Sequence, residues 1–372
     1  MKILYIATEY TGGMRPYALS ILKMMWNENS YAVIVIRDEY AQNDFIDFPQ
    51  NKIFIINYPK GKLARILFHI FPFKIIFTIR NLISCECINI VHTLTGEFIL
   101  SYYFVLLQKK VKILHTVHDA IEHEMKFKSV FAWLNNIIFL KIPNKLLLAF
   151  ARNTITNSIS QLYYLQKHYK NGKHFSAPFP TLITEEITKG DIYLPELKGE
   201  NNYILFFGRV EFYKGVHNLY DTYMSYPKLH DYKLVIAGKG ETYFNKNIKE
   251  NNVIIINRYI NDSEINDLFR KASLVVYPYI SATQSGVLSI ASYFGKKIIT
   301  SDIPFFNELI NSETLGIRTT NTSNKLEFFN NMLELLNVEE DTFHFYQENY
   351  LKASIKTKMI EIHNSIFNDG FC

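Results

Sequence analysis

Short apolar runs alternate with helical patterns along almost the whole chain. In the first half, runs typical of strands buried on both faces occur at 2–7, 32–36, 53–56, 88–91, 111–117 and 154–156. Helical patterns separate most of these runs. Such an alternation predicts a parallel sheet that is covered by helices on both faces.

The second half repeats the arrangement, with strands expected at 203–207, 233–237, 253–256, 274–277 and 297–300. A length of 372 residues fits two domains better than one core. We therefore predict an α/β protein with two Rossmann-like, doubly wound domains. The first spans 1–180, a linker with proline and glycine residues spans 181–200, and the second domain spans 201–345. A terminal helix within 346–372 is expected to pack back on the first domain.

Composition excludes several classes of protein. Hydrophobic residues make up 48% of the chain and charged residues 20%, which is typical of a globular protein. The net charge of +5 comes from scattered cations, and no basic stripe interleaved with aromatic residues indicates a nucleic-acid partner. Cys85, Cys87 and Cys372 fit neither a disulfide framework nor a zinc site, so we expect a reducing cytoplasm. We see neither a signal peptide nor an apolar run of about 18 residues, and expect no transmembrane helix.

Residues 203–215, YILFFGRVEFYKG, indicate the chemistry most directly. An apolar strand runs into Gly208-Arg209, and Lys214-Gly215 precede a helical pattern. Gly208 permits close approach of the backbone, Arg209 binds two phosphate oxygens at once, and Lys214 adds a point charge. The combination suits a diphosphate, although an isolated pattern of this kind also describes two surface cations in an ordinary loop.

Further short motifs stand in a fixed order around this stretch. They are Gly12-Gly13, 90–92 (IVH), 116–119 (TVHD), 155–158 (ITNS), 234–240 (LVIAGKG), 284–287 (QSGV), Gly295-Lys296, 298–302 (IITSD) and 307–310 (NELI). In this order and spacing the chain resembles the retaining glycosyltransferases of family 4, which have the GT-B fold. The resemblance extends over nearly the whole chain.

The resemblance implies two domains that face a central cleft, with the donor mainly on the second domain and the acceptor mainly on the first. A sugar moves from a nucleotide-diphosphate donor with retention of its anomeric configuration. Arg209 and Lys214 are then catalytic, since they hold the diphosphate and stabilise the charge of the leaving nucleotide. We expect no metal ion and no other cofactor, because these cations serve that purpose and no Asp-x-Asp pair stands on a suitable loop.

His118 is the third catalytic candidate. It follows a predicted strand and precedes Asp119, and the resemblance places such a histidine near the donor sugar. The alternative is a structural histidine that is hydrogen-bonded at a strand end. His92 and His115 are interpreted as structural.

Loops and helix starts supply the predicted donor-binding residues. Backbone amides at the start of a helix suit a phosphate or sugar hydroxyl, which applies to Gly12-Gly13 and to 285–287. The full set is Gly12, Gly13, Gly208, Gly238, Gly240, Thr283, Gln284, Ser285, Gly286 and Val287. For Gly238 and Gly240, loop geometry is an equally good explanation. Acceptor-binding residues are not identified, and Glu122 and Glu124 are candidates whose alternative is solvated loop charge.

One departure from the family concerns two glutamates eight positions apart that bind ribose and sugar. Counting back from Gly295 places them at Ala282 and Ile290, and counting from Gly286 places them at Thr283 and Ala291. Neither alignment gives a glutamate. Gln284, Thr283 and Ser289 are the polar neighbours available as substitutes.

A basic amphipathic segment lies in the predicted acceptor domain. Leu63, Ile66, Leu67, Ile70 and Phe71 form its apolar stripe, and the cations are Lys62, Arg65, Lys74 and Arg80. The pattern suits docking on an anionic membrane surface, and a helix whose stripe faces the core is the alternative.

We predict a cytoplasmic, metal-independent glycosyltransferase of hexosyl type, peripheral on the inner face of the membrane. It uses a UDP- or GDP-sugar and a glycan or lipid-linked acceptor in surface polysaccharide or glycolipid synthesis. A non-catalytic or weakly active sugar-nucleotide-binding subunit that acts with a partner enzyme is the alternative, and a sugar-nucleotide epimerase is a third option.

Overall fold

The computed structural model describes residues 1–120, 129–245, 251–310, 316–338, 342–350 and 352–369. The described chain divides into two compact units. The first contains the residues up to Pro180 and the segment from Lys352 onwards, and the second runs from Thr181 to Tyr350.

A fully parallel sheet of seven strands forms the centre of the first unit, in the order β3-β2-β1-β4-β5-β6-β7. Its strands are β1 (Ile3–Tyr10), β2 (Ser30–Ile36), β3 (Ile53–Asn57), β4 (Ile90–Thr93), β5 (Lys112–Val117), β6 (Asn153–Thr156) and β7 (Lys173–Ser176). Every residue of β2 is buried, as the apolar runs predict for strands covered on both faces.

Eight helices belong to the described part of the first unit. They are α1 (Met14–Met25), α2 (Lys62–Ile70), α3 (Phe73–Cys85), α4 (Phe104–Gln108), α5 (Val130–Asn136), α6 (Ile142–Phe150), α7 (Ile159–His168) and, last in the chain, α15 (Lys352–Asn368). A π-helical turn over Ile137–Lys141 joins α5 to α6. Helix α15 packs against α1 and β5, which places the end of the chain on this unit.

The second unit has a parallel sheet of six strands in the order β10-β9-β8-β11-β12-β13. The strands are β8 (Tyr203–Phe207), β9 (Lys233–Ala237), β10 (Val253–Ile256), β11 (Ala272–Tyr277), β12 (Lys297–Ser301) and β13 (Ile317–Thr320). The helices are α8 (Glu185–Lys189), α9 (Val216–Ser225), α10 (Asp262–Arg270), α11 (Val287–Tyr293), α12 (Pro304–Leu309), α13 (Lys325–Leu336) and α14 (Phe343–Asn349).

The structure differs from the predicted element bounds near the terminal helix and the linker. The chain bends at Tyr350, so α14 ends before α15 begins and no single helix starts at residue 346. Tyr350 is buried in the core of the second unit, which holds the bend in place. The predicted linker 181–200 contains α8, and its Ile187, Leu194 and Leu197 belong to the same core.

By length and composition, Lys62–Cys85 is a segment apolar enough to cross a membrane, which corrects the expectation that the chain has none. Only 22% of its most apolar stretch is buried. The segment is interrupted at Phe71-Pro72, where α2 ends and α3 begins. The proline lacks the amide that a continuous helix needs at this point.

Candidate active site

The loop after β8 carries the two predicted cations. Gly215 ends this loop in a left-handed conformation, with φ of 62°. A Cβ atom there would lie 1.9 Å from the Pro278 carbonyl oxygen, so only glycine fits. The Ile280 amide donates to the Tyr213 carbonyl oxygen at 2.8 Å. The loop is thereby fixed against the residues that follow β11, at the carboxyl ends of neighbouring strands.

Two tyrosines bring Arg209 and Lys214 together. The Lys214 Nζ atom lies 3.7 Å from the centre of the Tyr279 ring and 5.1 Å from that of Tyr213. The Arg209 Nη2 atom lies 3.4 Å from the Tyr213 hydroxyl. Tyr279 is buried, and burial raises the pKa of its phenol, so it remains neutral. Lys214 therefore stands on an aromatic base with Arg209 at the hydroxyl edge of that base, an arrangement suited to an anion.

Residues 283–287 lie next to this base. Ser285 is buried with its Oγ atom 3.4 Å from the Tyr279 hydroxyl, and Thr283 is also buried. The Tyr277 hydroxyl donates to the Val287 carbonyl oxygen at 3.0 Å. Gly286 precedes the first turn of α11, and Gln284 is half-buried between Thr283 and Ser285. The structure thus gathers these predicted donor-binding residues beside the cations.

The predicted glycines after β8 and β9 lie against each other's backbone. A Cβ atom on Gly238 would lie 1.9 Å from the Gly208 carbonyl oxygen, and one on Gly240 would lie 1.9 Å from that of Val210. Gly238 also has a φ of 144°. Close approach of two backbone segments therefore explains Gly238 and Gly240 as parts of the loop architecture, the alternative that the sequence left open for these two. Gly208 has a φ of 139°, and donor binding by the three glycines stays a prediction.

The positions of the absent family glutamates fall on or near α11. Ile290 and Ala291 are buried in the core of the second unit, where a carboxylate would be desolvated. Ser289 is also buried; its hydroxyl donates to the Gly286 carbonyl oxygen at 2.6 Å and accepts from the Leu182 amide at 3.2 Å. Ser289 therefore supports the fold, which corrects its interpretation as a polar substitute and leaves Thr283 and Gln284 in that role.

In the first unit, His118 directly follows β5 and is buried. Its Nε2 atom lies 2.8 Å from the Leu94 carbonyl oxygen, which fixes this nitrogen as a donor. The Tyr17 ring meets the imidazole edge-on at a centroid distance of 4.7 Å. The Gln161 side chain donates to the His118 carbonyl oxygen at 3.1 Å. The end of β5, helix α1 and helix α7 together fix the position of the His118 imidazole.

Gly12 and Gly13 lie at the start of α1, between β1 and Tyr17. Gly12 has a φ of 53°, and neither glycine has a heavy atom within 4 Å of an added Cβ position. Tyr17 connects this helix to His118. The predicted phosphate loop and the predicted catalytic histidine therefore share one edge of the first sheet.

Glu97, which was not among the residues predicted from the sequence, organises the same edge. The side chain is fully buried, and its carboxylate accepts from the Thr8 amide at 3.1 Å and from the Thr95 hydroxyl at 2.6 Å. Its own backbone is left-handed, with φ of 52°, an uncommon conformation for glutamate. Burial raises the pKa of the carboxyl to about 7. Glu97 directly follows Thr95-Gly96, shortly after β4, and an acidic residue next to such a turn at a strand end is the signal that the sequence offers.

The other candidates from the sequence have structural partners or lie elsewhere. The same holds for Arg258, a cation just after β10, which pairs with both Glu196 and Glu264 at 3.0 and 2.8 Å. Glu122 and Glu124 lie outside the described residues, as does Cys372. Over the described ranges, no group of three His, Cys, Asp or Glu side chains is placed to hold a metal ion.

Two parallel α/β units, each with its predicted site residues at the carboxyl ends of strands, define a protein of the GT-B class. The structure is similar to Alr3699/HepE from Anabaena in complex with UDP and glucose, at 15% identity and a TM-score of 0.70, with 98% of this chain and 100% of the other covered. It is also similar to a sucrose-phosphate synthase from Thermosynechococcus elongatus, at 14% identity and a TM-score of 0.69, with 99% of each chain covered. WaaG, a glycosyltransferase involved in lipopolysaccharide biosynthesis, matches at 13% identity and a TM-score of 0.64, with 99% and 100% covered. At these identities the likeness establishes the fold.

The family assignment comes from the sequence of the second unit. Residues 195–352 match the model of the family described as glycosyl transferases group 1. No curated protein matches the chain. The chain carries a glycosyltransferase domain of this family on a GT-B fold.

Proposed function

We propose that this glycosyltransferase moves a hexose from a nucleotide-diphosphate sugar to a glycan or lipid-linked acceptor, with retention of the anomeric configuration. The observation that carries the proposal is the placement of Lys214 over the Tyr279 ring and of Arg209 at the Tyr213 hydroxyl, at the carboxyl edge of the matched domain. In such a transfer, positive charge develops on the sugar while negative charge develops on the departing phosphate. Fixed cations directed at that phosphate stabilise the transition state.

The donor is a UDP- or GDP-sugar, and UDP-glucose is the first to test because HepE has been seen with it. The two cations supply the positive charge that the leaving diphosphate requires, so we propose that transfer proceeds without a metal ion. His118 positions the donor sugar, and its Nε2–H bond to Leu94 holds the ring orientation.

The acceptor and pathway follow from analogy and charge. WaaG acts in lipopolysaccharide biosynthesis, and this chain has a basic amphipathic segment in its first unit. We therefore propose a lipid-linked acceptor at the cytoplasmic face of the membrane, in synthesis of a surface polysaccharide or glycolipid.

A second function is favoured by one observation. The positions where family members carry glutamates are apolar or small here, and two of them lie in the core. A sugar-nucleotide-binding subunit without activity of its own, acting with a partner glycosyltransferase, would need the diphosphate contacts and not the glutamates.

Incubation of the purified chain with UDP-glucose and other UDP- and GDP-sugars distinguishes the two functions. Slow donor hydrolysis that persists in EDTA is expected of the enzyme. Thermal shift on the same samples reports binding, because a ligand of the folded state raises its stability. A thermal shift without any hydrolysis, also with acceptor extracts added, would favour the binding subunit, and neither signal with any donor would contradict both functions.

A further inference from the structure

Helix α2 presents an apolar stripe to solvent. None of its residues is buried, and Leu63, Ile66, Leu67 and Ile70 are between 45 and 70% exposed. These four follow helical spacing and therefore lie on one face. Phe71, Phe73 and Phe77 continue the exposed apolar surface into α3. The alternative that this stripe faces the core is therefore wrong.

A second exposed stripe adjoins the first. Val130, Trp133, Leu134 and Ile138 again follow helical spacing, and each is between 43 and 73% exposed. The His69 ring of α2 meets the Phe139 ring in the π-helical turn edge-on, at a centroid distance of 5.8 Å. The Lys62–Phe77 and Val130–Ile138 segments thus form one region, which we call the α2–α5 surface.

The segments that form this surface and pack beside it carry basic and no acidic residues. Residues 62–85, 98–110 and 129–150 contain no aspartate or glutamate, and their cations are Lys62, Arg65, Lys74, Arg80, Lys109, Lys110, Lys141 and Lys145. Without these eight, the net charge of the chain changes from +5 to −3. Although cations are scattered along the sequence, the net positive charge therefore comes from these segments, which also expose apolar side chains, and an anionic apolar partner complements both features.

The segment that is apolar enough to cross a membrane is held in the protein by its second helix. Ile75, Ile79 and Leu82 of α3 are buried in the core of the first unit. At 1.5 Å per residue α2 is about 14 Å long, against a hydrocarbon core of about 30 Å. A bilayer crossing would need α2 and α3 to become one helix and α3 to leave the core.

We propose that the α2–α5 surface docks on an anionic lipid bilayer, with its apolar side chains in the interface and its cations among the headgroups. The docking rests on these surface residues and does not depend on sugar transfer. It would hold the first unit at a membrane that carries lipid-linked substrates.

Vesicle sedimentation of the full chain tests the docking. We expect binding to equimolar phosphatidylcholine and phosphatidylglycerol, little binding to phosphatidylcholine alone, and a steep loss with added salt. Leu63→Ser with Leu67→Ser, and separately Lys62→Gln with Arg65→Gln, should each reduce binding by about tenfold, since each pair removes exposed apolar or charged contacts. Leu326→Ser and Lys325→Gln, at the exposed start of α13 in the second unit, are matched controls that should bind normally.

The two tryptophans of the chain identify the face that docks. In Trp26→Phe protein, the remaining Trp133 should shift its emission to the blue and be quenched by brominated lipid. In Trp133→Phe protein, Trp26, which packs edge-on against Phe48, should do neither.

Four results would overturn the docking. They are no sedimentation with anionic vesicles, equal binding to neutral ones, binding without quenching of Trp133, and a dimer in solution that the Leu63→Ser, Leu67→Ser variant abolishes. The last result would assign the surface to a second copy of the chain. Because no donor or acceptor is present, none of these outcomes bears on the proposed transfer of sugar from the nucleotide; failure to dock would remove only the argument from charge for a lipid-linked acceptor.

Discussion

Arg209 and Lys214 are each expected to contribute more to the transition state than to donor binding. Arg209→Ala and Lys214→Ala should each lower kcat by about a hundredfold or more, as for the loss of one preorganised charge-stabilising donor. His118→Ala should also lower turnover, through positioning of the sugar. The measurement is steady-state transfer or donor hydrolysis.

The control for these variants is Lys228→Ala. Lys228 is an exposed cation just before β9, at the end of that strand opposite to the candidate site. Circular dichroism checks that each variant folds. Folded Arg209→Ala and Lys214→Ala proteins with near-normal turnover would show that the two cations are ordinary loop residues. Added divalent metal should restore none of the variants.

Glu97 should make the folded state less stable as the pH rises. Its pKa of about 7 in the folded protein exceeds the ordinary value of 4.5, so the folded state holds the proton more tightly than the unfolded state. Its contribution to the free energy of unfolding is fully present below pH 4.5 and is lost as the pH rises through 7. The loss is about 3 kcal/mol at most. The side chain of the Glu97→Gln variant does not titrate. In urea denaturation, the free energy of unfolding of the variant relative to that of wild type should therefore be higher at pH 8 than at pH 5.

Parallel pH dependence of wild type and Glu97→Gln would mean that the carboxyl stays ionised in the fold, held so by its hydrogen bonds from Thr8 and Thr95. The comparison must be made between wild type and Glu97→Gln, because the buried histidines of the same unit change its stability with pH in the opposite direction.

At the scale of elements, helix α15 is joined to the sheet by two histidines. His363 Nε2 and His92 Nδ1 are 3.0 Å apart, and both side chains are buried. Burial lowers the pKa of His363 to about 4, and burial with the neighbouring His363 and His115 holds that of His92 well below its ordinary value. His92 and His115 are thus structural, as their sequence contexts suggested.

This histidine pair should loosen α15 in acid. With a folded pKa of about 4 against an ordinary 6.5, the contribution of His363 is present above pH 6.5 and is lost as the pH falls towards 4, on the order of 2 kcal/mol by pH 5. His363→Gln keeps a hydrogen-bonding side chain and does not titrate. Its stability should fall less than that of wild type between pH 7 and pH 5, as measured by urea denaturation; an equal fall in both proteins would rule out His363 as the titrating group.

The strands also show which elements a sequence predicts. Eleven strands begin within two residues of their predicted position, because apolar runs rich in Val, Ile and Leu mark most of them. Strands β7, with sequence KHFS, and β13, with sequence IRTT, were missed. Both are short and polar and lie at sheet edges, where one side has no neighbouring strand, so their sequences carry little burial signal.

At the scale of the whole molecule, the donor should be held mainly through its diphosphate. The second unit offers two cations for the phosphates and no glutamate at the positions that bind ribose in the family. Two charge-assisted hydrogen bonds of about 1.5 kcal/mol each correspond to a factor of about a hundred in affinity. Calorimetry should therefore show UDP or GDP binding about a hundredfold more tightly than uridine or guanosine.

Equal affinity for nucleoside and nucleotide would contradict this account of the donor site. Arg209→Ala should reduce the difference in affinity between UDP and uridine, and Lys228→Ala should leave this difference unchanged.

Some properties of this protein follow from the sequence alone. The alternation of apolar runs and helical patterns determines two parallel α/β units, because a strand buried on both faces needs helices above and below it. The strand that ends in Gly208-Arg209 and continues to Lys214-Gly215 identifies the loop that we propose binds the diphosphate, since these residues are close in sequence.

Other properties depend on residues that are distant in sequence, and only the tertiary structure decides them. Three contacts join separate parts of the chain. They are those of Lys214 with the Tyr279 ring, of Glu97 with the Thr8 amide, and of His92 with His363. The same holds for burial: the pattern of α2 describes a core helix and a membrane-docking helix equally well. The exposure of α2 excludes the core helix, because a pattern specifies which face is apolar and not what covers it.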